Sequence, residues 1–119
     1  MGECDQKTSF EMLDYFYEAG GNFVDTSNNY QDEESEQWIG EWMEKRGVRD
    51  QMVIATKFTT NYLAQKKGPK DLQSNFTGNS HKSLHVSLEA SLKKLKTTYI
   101  DIVSVGMLNR RYFWREIKH

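Results

Sequence analysis

Residues 52–58 read MVIATKF. Met52, Val53, Ile54 and Ala55 form a nearly continuous apolar run, and Thr56-Lys57-Phe58 follows. A strand with one wet face alternates apolar and polar residues. A run like this one suits a strand covered on both faces, as in parallel sheets. Such a strand needs helices on its flanks, and the sequence supplies them on either side.

Upstream, the acidic stretch Asp32 to Glu36 carries the negative charge that favours a helix N-terminus. Trp38, Ile39, Trp42 and Met43 then recur at helical spacing, Arg46-Gly47 closes the helix, and Val48 to Gln51 reads as a turn. Further upstream, Thr8 and Glu11 form a capping-box pattern, followed by Phe10, Leu13 and Phe16 or Tyr17 on one stripe. Gly20-Gly21 ends that helix, and Asn22 leads into the short strand Phe23-Val24-Asp25. Downstream, Ser80 can cap a helix whose stripe is Leu84, Leu88, Leu92 and Leu95. Val86 and Ser87 flank that stripe, and Lys93, Lys94 and Lys96 suit the C-terminal end. Tyr99 to Val105 reads as another buried strand, and after Gly106 the pattern breaks into Asn109-Arg110-Arg111. The segment 60–79 contains Lys66-Lys67-Gly68-Pro69 and Gly78-Asn79. It reads as a long polar loop with room for a helical turn, and loops of that length in compact domains usually serve a site.

Three helix-then-strand units imply an α/β fold with a parallel sheet, either an open doubly wound sheet or a barrel. No GxGxxG favours a dinucleotide-binding open sheet, and no P-loop is found. The chain has 119 residues, 37% apolar and 28% charged, which fits one soluble globular domain. A net charge of −1 points to neither nucleic acid nor an anionic membrane. The tail residues Arg110, Arg111, Arg115 and Lys118 are too few and too mixed with Tyr112, Phe113, Trp114 and Glu116 to make an RNA-binding surface. Cys4 is the single cysteine, so no internal disulfide forms. The start is polar, without a signal peptide's apolar region, and no apolar run is long enough to span a membrane. The expected location is cytoplasmic. Gly2 lacks the Ser or Thr that myristoylation wants where Gln6 stands, and Asn75-Phe76-Thr77 matches a glycosylation sequon but reads as loop.

The polar residues at the strand ends carry the chemistry. Asp25 and Lys57 close two successive strands, and Tyr30 lies in the loop just beyond Asp25. Catalytic groups of α/β proteins gather at such ends. An unperturbed tyrosine ionises near pH ~10 and is a poor proton donor at neutral pH, but a nearby ammonium stabilises the phenolate. A carboxylate paired with that ammonium holds it in place, and the tyrosine can then act as general acid while a cofactor delivers hydride. The same residues also have a plainer reading, a structural salt bridge and a packing tyrosine, and the trio alone does not choose. His81 and His85 sit four apart on a helix, but without an accompanying Glu or a third ligand no metal site is expected. Trp38 and Trp42 read as packing groups, and His119 as a frayed terminus. Ser35, Ser83 and Ser87 have no base beside them to support hydrolase chemistry. Asn28 and Asn29 read either as turn formers or as the lining of a substrate mouth.

NFVDTSNNY, EWMEKRG, VIATKF and GNSHKSLHVSLEASLKKLKTTYIDI together resemble the aldo-keto reductase family, and within it the fungal aryl-alcohol dehydrogenase-like branch. The resemblance runs in order from residue 8 to 105, with 106–119 as a divergent tail of one partial domain, 1–119. It implies a (β/α)8 TIM barrel, of which this chain would supply strands 2–4 with their helices. It implies NADP(H)-dependent interconversion of aromatic aldehydes or ketones and alcohols, on a small-molecule carbonyl or alcohol substrate. By resemblance Asp25 is the catalytic aspartate, also beside the cofactor, Tyr30 the proton donor and Lys57 the lysine that assists it; no metal is implied. The family's fourth residue is a histidine in a pattern like YIDxxxxH, and here that place is Gly106. The loss of pattern from there on is expected to reflect an altered reading frame or a shortened gene. A three-stranded remnant would leave two sheet edges and apolar surface open, so the isolated chain is expected to be marginal in stability and inactive. The alternatives are a non-catalytic fragment that associates with a full-length homologue, and a decayed remnant without function.

Overall fold

The computed structural model describes residues 4–63 and 72–106. The three helix-then-strand units are present: α1 (Gln6–Glu18), β1 (Phe23–Asp25), α2 (Glu34–Arg46), β2 (Val53–Phe58), α3 (His81–Lys94) and β3 (Ile102–Val105). Short 3-10 turns occupy Tyr30–Glu33, Arg49–Gln51 and Ser74–Phe76. The last of these is the helical turn expected in the long loop; Lys66 to Pro69 lie outside the described residues, as does everything after Gly106.

The strands form one parallel sheet in the order β1-β2-β3. Asp25 stands opposite Ala55, and Lys57 opposite Ser104. β2 is central, with Ile54, Ala55 and Thr56 all buried, as the apolar run required. β3 departs from expectation. All four of its residues are half-buried, because it is the sheet's edge among the described residues and has a partner on one side only. Tyr99 and Asp101 precede the strand and are exposed.

Since parallel partners share a face, the sheet has two distinct sides. Val24 and Ile54 turn toward the helices and join a core built from Leu13, Ile39, Trp42, Met43, Val48, Met52 and Leu95. Trp42 is fully buried, meets Tyr17 edge-on at 6.0 Å, and donates from Nε1 to Asp14 Oδ1 at 2.7 Å. That bond, with the Arg46 guanidinium beside it, holds the Asp14 carboxyl below its usual range. On the opposite side Phe23, Asp25, Val53, Ala55, Lys57, Ile102 and Ser104 share a face by register.

Two helix readings change. α1 is capped by Asp5, whose carboxylate accepts from the Thr8 amide at 2.7 Å, rather than by a Thr8–Glu11 box. Asp5 wins because it stands one residue before the helix, where its side chain reaches the third helical amide. At the other end Gly20 adopts φ +89°, and the Gly21 and Gly20 amides donate to Phe16 and Tyr17 carbonyls, so Gly20-Gly21 closes α1 as expected. In α3 the buried face is Ser83, Ser87 and Ser91, ending in Leu95, while Leu84, Leu88 and Leu92 are only half-buried. Here small side chains decide the face. α2 and α3 cross so closely that a Cβ at Gly40 would lie 2.4 Å from the Lys94 carbonyl oxygen. The buried positions of α3 thus hold small side chains, which let a helix pack closer to its neighbours than leucines would.

Candidate active site

β1 and β2 bring Asp25 and Lys57 together at the ends of neighbouring strands, on the sheet face away from the helices. Backbone pairing continues past β1. The Thr26 amide donates to the Ala55 carbonyl at 2.8 Å and the Asn28 amide to the Lys57 carbonyl at 3.1 Å. The segment after Asp25 is thereby tied to β2 as far as Asn28, and Tyr30 follows where the chain turns away.

Lys57 Nζ is 2.6 Å from both carboxylate oxygens of Asp25 and 2.9 Å from the Thr26 carbonyl oxygen. An ammonium has three N–H donors, and these three acceptors match them. Tyr30 therefore meets the cation through its ring, whose centroid lies 5.6 Å from Lys57 Nζ. Its hydroxyl makes no hydrogen bond among the described residues, and the residue is 44% exposed. Asp25 is 54% exposed and Lys57 23%, so the pair is open to whatever occupies this face.

The three residues singled out in the sequence are thus assembled at one place. The fourth position is different. Gly106 carries no side chain, its amide donates to the Phe58 carbonyl at 2.8 Å, and a Cβ there would meet that oxygen at 2.6 Å. The backbone as it stands has no room for a side chain at 106.

Behind Tyr30 lies a cluster that the sequence reading missed. Lys94 Nζ is 2.7 Å from Glu36 Oε2 and donates to Glu33 Oε1 and the Asn28 carbonyl, both at 3.1 Å. Glu36 is fully buried and accepts from the Thr56 hydroxyl at 2.6 Å. Tyr62 covers the cluster, with its ring centroid 5.0 Å from Lys94 Nζ. Burial, with the two glutamates nearby, pushes the Tyr62 phenol above its usual range. Charge position had suggested that Lys94 and the acids at 32–36 merely complement helix ends. The one available signal was Glu36 on the same helical face as Ile39, Gly40 and Met43. Asn28 does not line a mouth, since it is 1% exposed, while Asn29 accepts from the Ser27 hydroxyl at 2.8 Å. Among the described residues no group of three or more His, Cys, Asp or Glu could hold a metal ion. Among the same residues no helix is long and apolar enough to cross a membrane.

Residues 1–111 match the profile of the Aldo/keto reductase family. The chain is 55% identical over 107 residues to a norsolorinic acid reductase of Aspergillus flavus, covering 90% of this chain and 27% of the relative. It is 52% identical over 118 residues to an aryl-alcohol dehydrogenase [NADP(+)] of Phanerodontia chrysosporium, covering 96% of this chain and 28% of the relative. The chain therefore spans about a quarter of the length of these relatives. Among solved structures it is similar to the holo form of an aldo-keto reductase from Bacillus halodurans. The TM-score is 0.71 at 26% identity, covering 85% of this chain and 31% of that one. An aldo-keto reductase from Klebsiella pneumoniae in complex with NADPH gives a TM-score of 0.62 at 26% identity, covering 87% and 31%.

Proposed function

The chain belongs to the aldo/keto reductase family, and from that premise we propose that its site serves NADP(H)-dependent interconversion of small, aromatic carbonyl compounds and their alcohols. The observation that carries this reading is Lys57, held by Asp25 at 2.6 Å with its ammonium against the Tyr30 ring. The name of the Phanerodontia chrysosporium relative supports both the substrate class and the cofactor.

In this reading Tyr30 is the proton donor. Its O–H bond breaks toward the carbonyl oxygen as that oxygen gains negative charge, and the phenolate left behind is stabilised by Lys57. Asp25 holds the ammonium in place, since both carboxylate oxygens are engaged with it. When bound, a nicotinamide cofactor supplies the hydride. Of the contacts such a cofactor needs, these residues fit one, the half-exposed Asp25 carboxylate at the strand ends. Gly106 offers no side chain to orient the carbonyl, so the 119 residues alone are expected to turn over slowly or not at all.

The test is fluorescence titration of the purified chain with NADPH, followed by reduction of an aromatic aldehyde by the wild type and by Tyr30→Phe. Saturable NADPH binding, with any slow turnover abolished in Tyr30→Phe, supports the reading, and absence of saturable binding overturns it for this chain. Turnover that survives Tyr30→Phe would overturn the role of Tyr30. A second reading is a non-catalytic piece that joins a full-length relative. Phe23, 50% exposed on the same face as Asp25, and the half-buried edge strand β3 favour it. Co-purification with such a relative at fixed stoichiometry, without NADPH binding by the chain alone, would select it.

A further inference from the structure

The segment that carries Tyr30 is unusual in its backbone. Gln31, Asp32 and Glu33 all have positive φ, at 50°, 51° and 77°. Consecutive non-glycine residues in the left-handed region each cost roughly 1–2 kcal/mol, so this turn persists only if its surroundings hold it. Thr26 and Asn28 are fastened to β2 by backbone bonds on the near side. On the far side Gln31 Nε2 donates to the Cys4 carbonyl at 2.8 Å.

The group that grips both sides at once is Lys94. One ammonium donates to the Asn28 carbonyl, two residues before Tyr30, and to the Glu33 carboxylate, three residues after it. The same ammonium is anchored inward by Glu36, which the Thr56 hydroxyl fastens to β2 next to Lys57. Lys94 and Glu33 are 15% and 13% exposed and Glu36 is fully buried, so water screens these contacts little. We propose that Lys94 is a positioning residue for Tyr30, a latch from α3 that closes the Asn28–Glu33 turn and sets the phenol over Lys57. This rests on the reading of Tyr30 as proton donor, and it assigns a role to a residue outside the Asp25, Tyr30 and Lys57 trio.

Removing Lys94 alone would strand a buried carboxylate and could unfold the chain. The decisive variant is therefore Lys94→Met with Glu36→Gln, which removes both charges, keeps an acceptor for Thr56 and leaves the turn unlatched. Amide hydrogen exchange reads the outcome without any activity. The Asn28 and Tyr30 amides, which donate to the Lys57 and Ser27 carbonyls, are expected to exchange about tenfold faster or more. Amides of α2 and the centre of β2 stay within about threefold of wild type. The 13Cζ resonance of labelled Tyr30 shifts, because the ring leaves the Lys57 ammonium. Glu33→Gln, which keeps the Lys94–Glu36 pair, gives the same pattern more weakly. Uniform acceleration at all amides would make Lys94 an ordinary stabilising group and overturn the proposal, as would unchanged exchange at Asn28 and Tyr30 with an unmoved 13Cζ line. Failure of Tyr30→Phe to affect turnover would refute the donor role instead, and that result is read in a separate assay.

Discussion

Gly40→Ala sets two effects of opposite sign against each other. Gly40 lies inside α2, where alanine is the better helix former by roughly 1 kcal/mol. An alanine Cβ at that place would stand 2.4 Å from the Lys94 carbonyl oxygen, 2.6 Å from the Leu95 carbonyl carbon and 2.7 Å from Leu95 Cα. All three atoms are backbone, so no side chain can swing aside. Restoring ordinary contact, about 3.4 Å, requires α2 and α3 to part by roughly 1 Å. Overpacking of this kind costs about 1–3 kcal/mol, and backbone neighbours place it near the upper end. The parting also draws Lys94 from its acceptors, since bonds of 3.1 Å cannot survive that displacement. The expected net loss is about 2 kcal/mol, seen as a urea midpoint lowered by about 1 M at unchanged slope. Gly47→Ala is the control. Gly47 has φ +65° with nothing within 4 Å, so its cost of about 1 kcal/mol comes from backbone strain and leaves exchange at Asn28 untouched. A Gly40→Ala chain with a raised midpoint would show that helix propensity wins and that the close crossing is not what seats α3.

Tyr62→Phe addresses alkaline stability. The folded phenol releases its proton at higher pH than the unfolded one, so its stabilising contribution is complete below about pH 10 and is lost as pH rises through the folded value. The variant is expected to flatten the alkaline limb of stability against pH, followed by circular dichroism. Arg49→Met removes donors to the Thr97 hydroxyl, the Met52 and Tyr99 carbonyls and the Asp101 carboxylate, around a guanidinium 16% exposed. It is expected to cost about 2–4 kcal/mol in urea unfolding and to free the β3 amides in hydrogen exchange.

The parts of the fold legible in the sequence were those that local chemistry decides. Met52 to Ala55 announced a central parallel strand because a strand covered twice must be apolar on both sides. Gly20-Gly21 announced a helix end because few other residues accept φ +89°. As candidates, Asp25 and Lys57 were legible by their places at the ends of two strands, Tyr30 by its place in the loop beyond, and all three by their resemblance to a family pattern. What stayed hidden depended on distances between elements. The leucines at 84, 88 and 92 looked like the inner stripe of α3, but periodicity reports which residues are apolar and not how near the neighbouring backbone comes. Gly40 marks that nearness between α2 and α3, and the side chains that α3 buries are the serines one position earlier. Lys94 was hidden for a related reason. Among Lys93, Lys94 and Lys96 only three-dimensional direction separates solvated charges from the one that reaches 66 residues back to Asn28.

The strength of the Asp25–Lys57 pair is not a fixed property of the two residues. With Asp25 54% exposed, the pair is largely screened, and surface ion pairs of this kind contribute little to stability. Coulomb attraction scales inversely with the effective dielectric, a factor of roughly four between water and a partly buried surface. The same scaling applies to the influence of Lys57 on Tyr30. Whatever covers the face that Phe23, Asp25, Ala55 and Lys57 share, whether a small molecule or more protein, therefore strengthens the Asp25–Lys57 attraction as it excludes water. The helix side needs no such cover, because Glu36, Lys94 and Glu33 are already enclosed there. The sheet thus separates a finished charge network, which sets where Tyr30 sits, from an unfinished one, whose effect on Tyr30 depends on its occupant.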